Sequence, residues 1–272
     1  MLLFGWAMQA QAQLTTIYGN SAINGTNPIH IIDGTTGVES TRYYGNPGGN
    51  GRGIVVVGDV IYYTIVGDSH IYELDRNTGN PIGSIQTQNS SMSTIAWDGS
   101  TFWTTDYAGT NTGFQIDPVT GNNLKTVTFS QAGRYMDGME FFDDKLIVNR
   151  GDAVGTYDIY DLDGNLLQDS FITTPNGSGT GIAYDGTNFL VSDIYNSKIG
   201  VYDGTTGSFL NWIDLTSPYD SYFLIEDLSV DYEQRSDTGH PGGGSEIPAP
   251  AAVILATLGM GLVGRMRRSK ML

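Results

Sequence analysis

One turn recurs five times along this chain at nearly constant spacing, and it limits the fold more than any other feature. An Asp closes one apolar strand and a Gly opens the next. The motif appears as Ile31-Ile-Asp33-Gly-Thr-Thr-Gly37, Leu74-Asp75-Arg-Asn-Thr-Gly79 and Ile116-Asp117-Pro-Val-Thr-Gly121. It returns one residue shorter as Tyr160-Asp161-Leu-Asp163-Gly164, then as Tyr202-Asp203-Gly-Thr-Thr-Gly207. The glycines lie 42, 42, 43 and 43 residues apart. Gly supplies the positive φ of a tight hairpin, and the Asp side chain caps the turn. A period a little over 40 residues is that of a propeller blade.

A second marker keeps the same beat. Short apolar strands begin at Gly53, Thr94, Gly138, Gly181 and Asp227, as in Gly53-Ile-Val-Val-Val57 and Asp227-Leu-Ser-Val-Asp231. The first four lead into an outgoing strand, and the fifth has no such follower before residue 235. The N-terminus shows the converse, with strands at Thr15–Tyr18 and Pro28–Asp33 that lack an inner partner. Ring closure satisfies both ends: the strand near Leu228 becomes the inner strand of a blade begun by the N-terminus, which removes most open sheet edges. The chain is therefore expected to be all-β, a five-bladed β-propeller closed by N-terminal strands. The 37 Gly, 16 Tyr and only 15% charged residues agree with strands and tight turns.

The ends read as addresses. Residues 1–12 form a short apolar leader, with Ala10 and Ala12 at the positions a signal peptidase reads, giving a cut before Gln13. The leader is short and lacks a preceding Lys or Arg, so the expected start lies upstream of Met1. Residues 13–234 carry the propeller, and the Gly-rich stretch 235–245 is a flexible linker by composition. Residues 246–272 form a tail: Glu246-Ile-Pro248-Ala249-Pro250, an apolar run from Ala251 to Gly264, then Arg265, Arg267, Arg268 and Lys270. Counted from Ile247, the apolar stretch is close to the ~17 residues of the shortest membrane-spanning helix, and the basic cluster would stay cytoplasmic.

This tail resembles the PEP-CTERM sorting signals, in the variant form Val-Pro-x-Pro-Ala, with Ala249 between Pro248 and Pro250. The resemblance implies an exosortase-type membrane protease as partner and export across the inner membrane of a Gram-negative, polysaccharide-producing bacterium. It further implies transient anchoring before the tail is removed, and a mature protein at the cell surface or in the matrix. The segment Gly181-Ile-Ala-Tyr-Asp185 to Tyr202-Asp203 resembles NHL and surface-layer propeller repeats, which implies a ligand-binding platform.

Charge excludes one class of partner. Residues 13–245 hold 9 basic and 28 acidic side chains, a net charge of −19, which repels nucleic acid phosphates. With no Cys, thiolate metal sites and thiol nucleophiles are absent too. The three His have no metal-ligand spacing, and no Gly-x-Ser-x-Gly elbow occurs. Asp161-Leu-Asp163-Gly-Asn165 lacks the Glu that ends a calcium loop, Ile172 standing at that position. No catalytic residue is assigned.

In a propeller the connections between blades share a face with the loops between second and third strands, and here those are the long ones. Ligand-binding candidates on that face are Asp106, Tyr107, Arg134, Tyr135, Arg150, Asp193, Tyr195, Tyr219 and Tyr222. Tyr and Arg offer wide contact with a polar tip, as a platform for sugar rings would. The same tyrosines would also serve simply to pack loops together. Asp137, Asn149, Asp193, Glu226 and Asp227 are the candidates for a metal site, with Ca²⁺ the cation such oxygen ligands suit. Their other reading is capping of strand ends. The expected function is non-enzymatic binding of an envelope component, foremost polysaccharide or an envelope protein. The alternatives are a metal-dependent lactonase, lyase or hydrolase, and a structural matrix protein.

Overall fold

The computed structural model describes residues 16–151, 155–220 and 223–235. Five four-stranded antiparallel sheets follow one another. The first contains β1 (Thr16–Ser21), β2 (Pro28–Asp33) and β3 (Glu39–Tyr44). The second is β4 (Gly51–Val57), β5 (Val60–Ile65), β6 (His70–Asp75) and β7 (Pro81–Gln86). The third is β8 (Met92–Trp97), β9 (Phe102–Asp106), β10 (Thr112–Ile116) and β11 (Asn123–Thr128). The fourth is β12 (Met139–Phe142), β13 (Lys145–Asn149), β14 (Thr156–Tyr160) and β15 (Leu166–Thr173). The fifth is β16 (Gly179–Tyr184), β17 (Asn188–Asp193), β18 (Lys198–Asp203) and β19 (Phe209–Asp214). The last strand, β20 (Ile225–Val230), pairs antiparallel with β1 and completes the first sheet in the order β20-β1-β2-β3. The protein is a five-bladed β-propeller, closed as its repeats require.

Each apolar core lies between adjacent blades. Ile17, Ile32, Leu228 and Val230 of the first blade pack with Ala183, Leu190, Ile199 and Ile213 of the fifth. Phe142, Ile147 and Tyr157 of the fourth pack with Ile182 and Phe189 of the fifth. The repeated turns serve this packing as well as chain reversal. Asp117 Oδ1 accepts from the backbone N–H of Val119 and Thr120, at 2.9 and 2.7 Å, and Gly121 follows at φ +69°. A methyl group on Gly121 would stand 1.9 Å from the carbonyl oxygen of Gln86, at the end of the preceding blade. The repeating Gly is thus needed twice, for its dihedral and for the approach of the neighbouring blade.

The outer end of the closure has its own clasp. Gly37 O and Glu39 N bond to Thr216 N and O, at 3.0 and 2.8 Å. Behind them the buried Glu39 carboxylate accepts from His30 Nδ1 at 2.8 Å, from Arg42 Nε and Nη2 at 2.9 and 2.8 Å, and from Ser217 Oγ. Burial alone would raise the Glu39 pKa, but the donors His30, Arg42 and Ser217 overcome it and hold the carboxyl at about 2.

Among the described residues no helix is long and apolar enough to cross a membrane. The leader, the linker beyond Arg235 and the sorting residues Pro248, Ala249, Pro250, Arg265, Arg267 and Arg268 lie outside the described residues, as does Tyr222.

Candidate functional site

The inner strands β4, β8, β12, β16 and β20 carry one equivalent residue each just before the repeated strand marker: Arg52, Ser93, Asp137, Thr180 and Glu226. In four blades the ladder shifts at this point. The register passes from Gly51↔Ile65 to Ile54↔Tyr63, from Met92↔Asp106 to Ile95↔Thr104, and from Gly179↔Asp193 to Ile182↔Val191. Along β20 it passes from Asp227↔Asn20 to Ile225↔Ser21, leaving Glu226 extra. Each shift is a β-bulge, which bends the strand and re-aims one side chain. Four of the five side chains, Arg52, Asp137, Thr180 and Glu226, line a cavity of about 280 Å³ on the long-loop face.

The next residue along each inner strand closes the floor. Gly53, Gly138 and Gly181 occupy this position in three blades, where a methyl on Gly181 would stand 2.2 Å from Asp227 Cα. The other two blades fill the space that the glycines leave. Asp227 Oδ2 accepts from Thr94 Oγ1 at 2.7 Å and from Ile54 N at 3.2 Å, while Oδ1 accepts from Leu228 N at 3.0 Å. Thr94 Oγ1 in turn accepts from Met139 N at 3.1 Å. This chain of bonds joins four blades across the centre. Burial holds the Asp227 pKa well above the carboxylate range. Beyond the floor, Arg235 reaches Glu140 Oε1 at 3.3 Å and Phe141 O at 2.8 Å. The cavity therefore has a bottom.

At the mouth, Arg52 Nη1 donates to Glu226 Oε1 and lies 3.9 Å from Asp137 Oδ1. Its guanidinium carbon sits 4.0 Å from the centre of the Tyr107 ring, and Tyr135 packs against Tyr107 at 5.0 Å. Tyr195 stands on the opposite rim, 73% exposed. Burial raises the Asp137 carboxyl to about 8, aided by the neighbouring Glu226 and opposed by Arg52. Burial raises Glu226 as well, against the pull of Arg52. Two carboxyls thus share one guanidinium and lie close enough for each to move the other's titration.

The candidates read from the sequence divide cleanly. Tyr107, Tyr135, Tyr195, Asp137 and Glu226 come together at the mouth. Asp106 and Asp193 do not reach the cavity as free ligands, because local donors use them: Asp106 accepts from Ala108 N and Thr110 Oγ1, and Asp193 from Ser178, Asn176 and Asn196. Arg134 is exposed beside Gly109. Arg150 is a correction: its guanidinium grips the fully buried Asp158 at 2.8 and 2.7 Å and also bonds Asp169, within its own blade. Tyr219 is a second, lying against Arg42 of the clasp at 5.0 Å. The metal set is a third. Asn149 is spent on Gly179 O and Gly151 N, Asp227 is the floor, and among the described residues no three His, Asp or Glu side chains are placed to hold one ion. A cation does stand between Asp137 and Glu226, and it is Arg52. That residue was missed, although it lies one position before the marker Gly53, in register with both carboxyls.

No family model matches the chain, and no curated protein matches it in sequence. Solved structures do. A chain of the nidogen/laminin complex aligns with a TM-score of 0.57 and 13% identity, over 81% of this chain and 99% of that one. The glutaminyl cyclase of Myxococcus xanthus aligns with a TM-score of 0.52 and 13% identity, over 75% of this chain and 76% of that one. Likeness at this identity shows the fold.

Proposed function

We propose that the protein binds polysaccharide at the mouth of its ring, without transforming it, as an exported component of the cell surface or extracellular matrix. The observation that carries the reading is the cavity itself: aromatic walls from Tyr107 and Tyr195 beside Arg52, Asp137, Glu226 and Thr180. Sugar rings present C–H faces to tyrosines, and their hydroxyls need both acceptors and donors, which carboxyls and a guanidinium supply. The volume lies near the lower end of the ~300–1,000 Å³ of small-ligand sites, so one or two sugar units would enter. One structural neighbour was solved as a complex, of nidogen with laminin, and a propeller used as a binding platform agrees with this reading.

The guanidinium of Arg52, bonded to Glu226 and 3.9 Å from Asp137, supports binding over hydrolysis. Glycosidases leave the space between their two carboxyls open to the anomeric carbon or a water, and here Arg52 stands in it. Metal-dependent catalysis has less support, because Arg52 fills the place between the two carboxyls.

The sorting tail is the support for location, with an exosortase-type protease as the processing partner. Mass spectrometry of the mature protein is expected to show that residues beyond about Ser245 are gone; an intact C-terminus at the cell surface would refute removal of the tail. For binding, affinity-gel retardation with the producer's own polysaccharide tests the site. Retardation lost in Tyr107→Ala and Tyr195→Ala is expected, and unchanged retardation in both would move the site elsewhere.

A further inference from the structure

The mouth holds two carboxyls and one cation, and that cation is bonded to Glu226. Asp137 and Glu226 face each other with a single guanidinium between them, and Arg52 gives its Nη1 hydrogen bond to Glu226. Asp137 receives a weak 3.4 Å bond from Ser93 Oγ and, among the described residues, no ion pair other than the 3.9 Å approach of Arg52. Arg52 carries a second unmet demand. Its side chain is nine-tenths buried, and its Nε has no hydrogen-bond partner.

The two demands differ in sign. The side of Asp137 lacks a cation, and Arg52 Nε lacks an acceptor oxygen. Tyr195 offers an open ring face at the rim, and aromatic faces attract cations. The net charge of −16 draws cations towards the molecule. We infer that the mouth is a site for an amino sugar, whose ammonium pairs with Asp137 while a neighbouring hydroxyl accepts from the guanidinium of Arg52, which lines the cavity. The inference rests on the saccharide-binding reading above and narrows it to amine-bearing glycans. A neutral hexose would leave Asp137 without a cation, and a uronate would bring a negative charge to the side of Glu226.

Entry of an ammonium has a protonic consequence. The groups facing Asp137 are Arg52 from β4, Ser93 from β8, Tyr107, Tyr157 from β14 and Glu226 from β20. Of these only Arg52 is a cation, so Asp137 keeps its proton in the empty site and releases it when a second cation arrives.

Calorimetry on the whole protein tests this with three probes: tetramers of glucosamine, of N-acetylglucosamine and of galacturonate, at pH 6. The expected result is at least tenfold tighter binding of the glucosamine tetramer than of the acetylated one, with the galacturonate tetramer weakest. Its heat should also vary with the ionisation enthalpy of the buffer, reporting close to one proton released. Asp137→Asn should remove the preference and the proton release, and its thermal transition shows that it folds. Equal affinity for the glucosamine and N-acetylglucosamine tetramers, or a preference kept in Asp137→Asn, overturns the inference and leaves the saccharide reading standing. Binding of none of the three overturns both.

Discussion

Asp137→Asn should make the protein more stable, and the gain should depend on pH. In the fold, burial and Glu226 hold the Asp137 carboxyl at about 8, against 3.8 for an ordinary aspartate. Between those two values the folded state keeps a proton that the unfolded chain has given up. Stability is therefore full below about pH 4 and falls as pH rises towards 8. Each pH unit in that window costs about 1.4 kcal/mol, so at pH 7 the cost approaches 4 kcal/mol. Asn has the same shape and no proton to lose, and its amide can donate to Glu226 as the protonated acid does. Allowing for an imperfect amide bond, the expected gain is about 2–4 kcal/mol at pH 7 and near zero at pH 4. For a propeller of this size that raises Tm by roughly 5–15 °C. Thermal scans of both proteins from pH 4 to 8 measure it. A Tm for Asp137→Asn at or below the parent at pH 7, or a difference that does not grow with pH, would refute the coupling of Asp137 to Glu226.

Further outcomes follow from the same structure. Glu39 is held at about 2 by His30, Arg42 and Ser217; its depressed pKa contributes stability above about 4.5 that is lost as pH falls towards 2. Glu39→Gln should lower stability at pH 7 by about 3 kcal/mol and flatten the acid limb of the profile, read by denaturant titration. Gly181→Ala puts a methyl 2.2 Å from the Asp227 backbone and should cost more than 3 kcal/mol or prevent soluble folding. Gly67→Ala, at φ +73° with open space around it, should cost only about 1 kcal/mol. Arg150→Ala strips the buried Asp158 of its main partner and should cost about 3–5 kcal/mol. Polysaccharide binding by that variant should be unchanged, and a selective loss of binding at intact stability would put Arg150 back in the site.

The fold was legible because its markers are structural necessities that recur. Asp117 and Gly121 must be Asp and Gly for local reasons, and Gly121 must also admit Gln86 of the neighbouring blade. A requirement that returns with every blade leaves a period in the sequence. Closure was legible from the strand at Leu228 having no follower and β1 having no predecessor. The site was half legible. Asp137 and Glu226 were among the metal candidates and Tyr107 and Tyr195 among the long-loop tyrosines, and all four line one cavity. Arg52 escaped because no neighbour along the chain hints at its role; only lining up the residue before each inner-strand marker puts Arg52, Ser93, Asp137, Thr180 and Glu226 in one column. Arg150 and Tyr219 misled for a related reason. Their partners, Asp158 and Arg42, come from strands whose facing register is set by packing. Asp227 differs again, since its place in the floor depends on Thr94 and on three glycines in other blades.

Five inner strands, four of them bulged, are proposed to assemble one saccharide site at the mouth of the ring. A crystal structure of the protein with a bound glucosamine oligomer tests it directly. The expected result is a sugar unit between Tyr107 and Tyr195, its ammonium within hydrogen-bond distance of Asp137 and an oxygen on the guanidinium of Arg52. Sugar seated on the outer strands or beside Tyr219, with the mouth filled only by water, would contradict it.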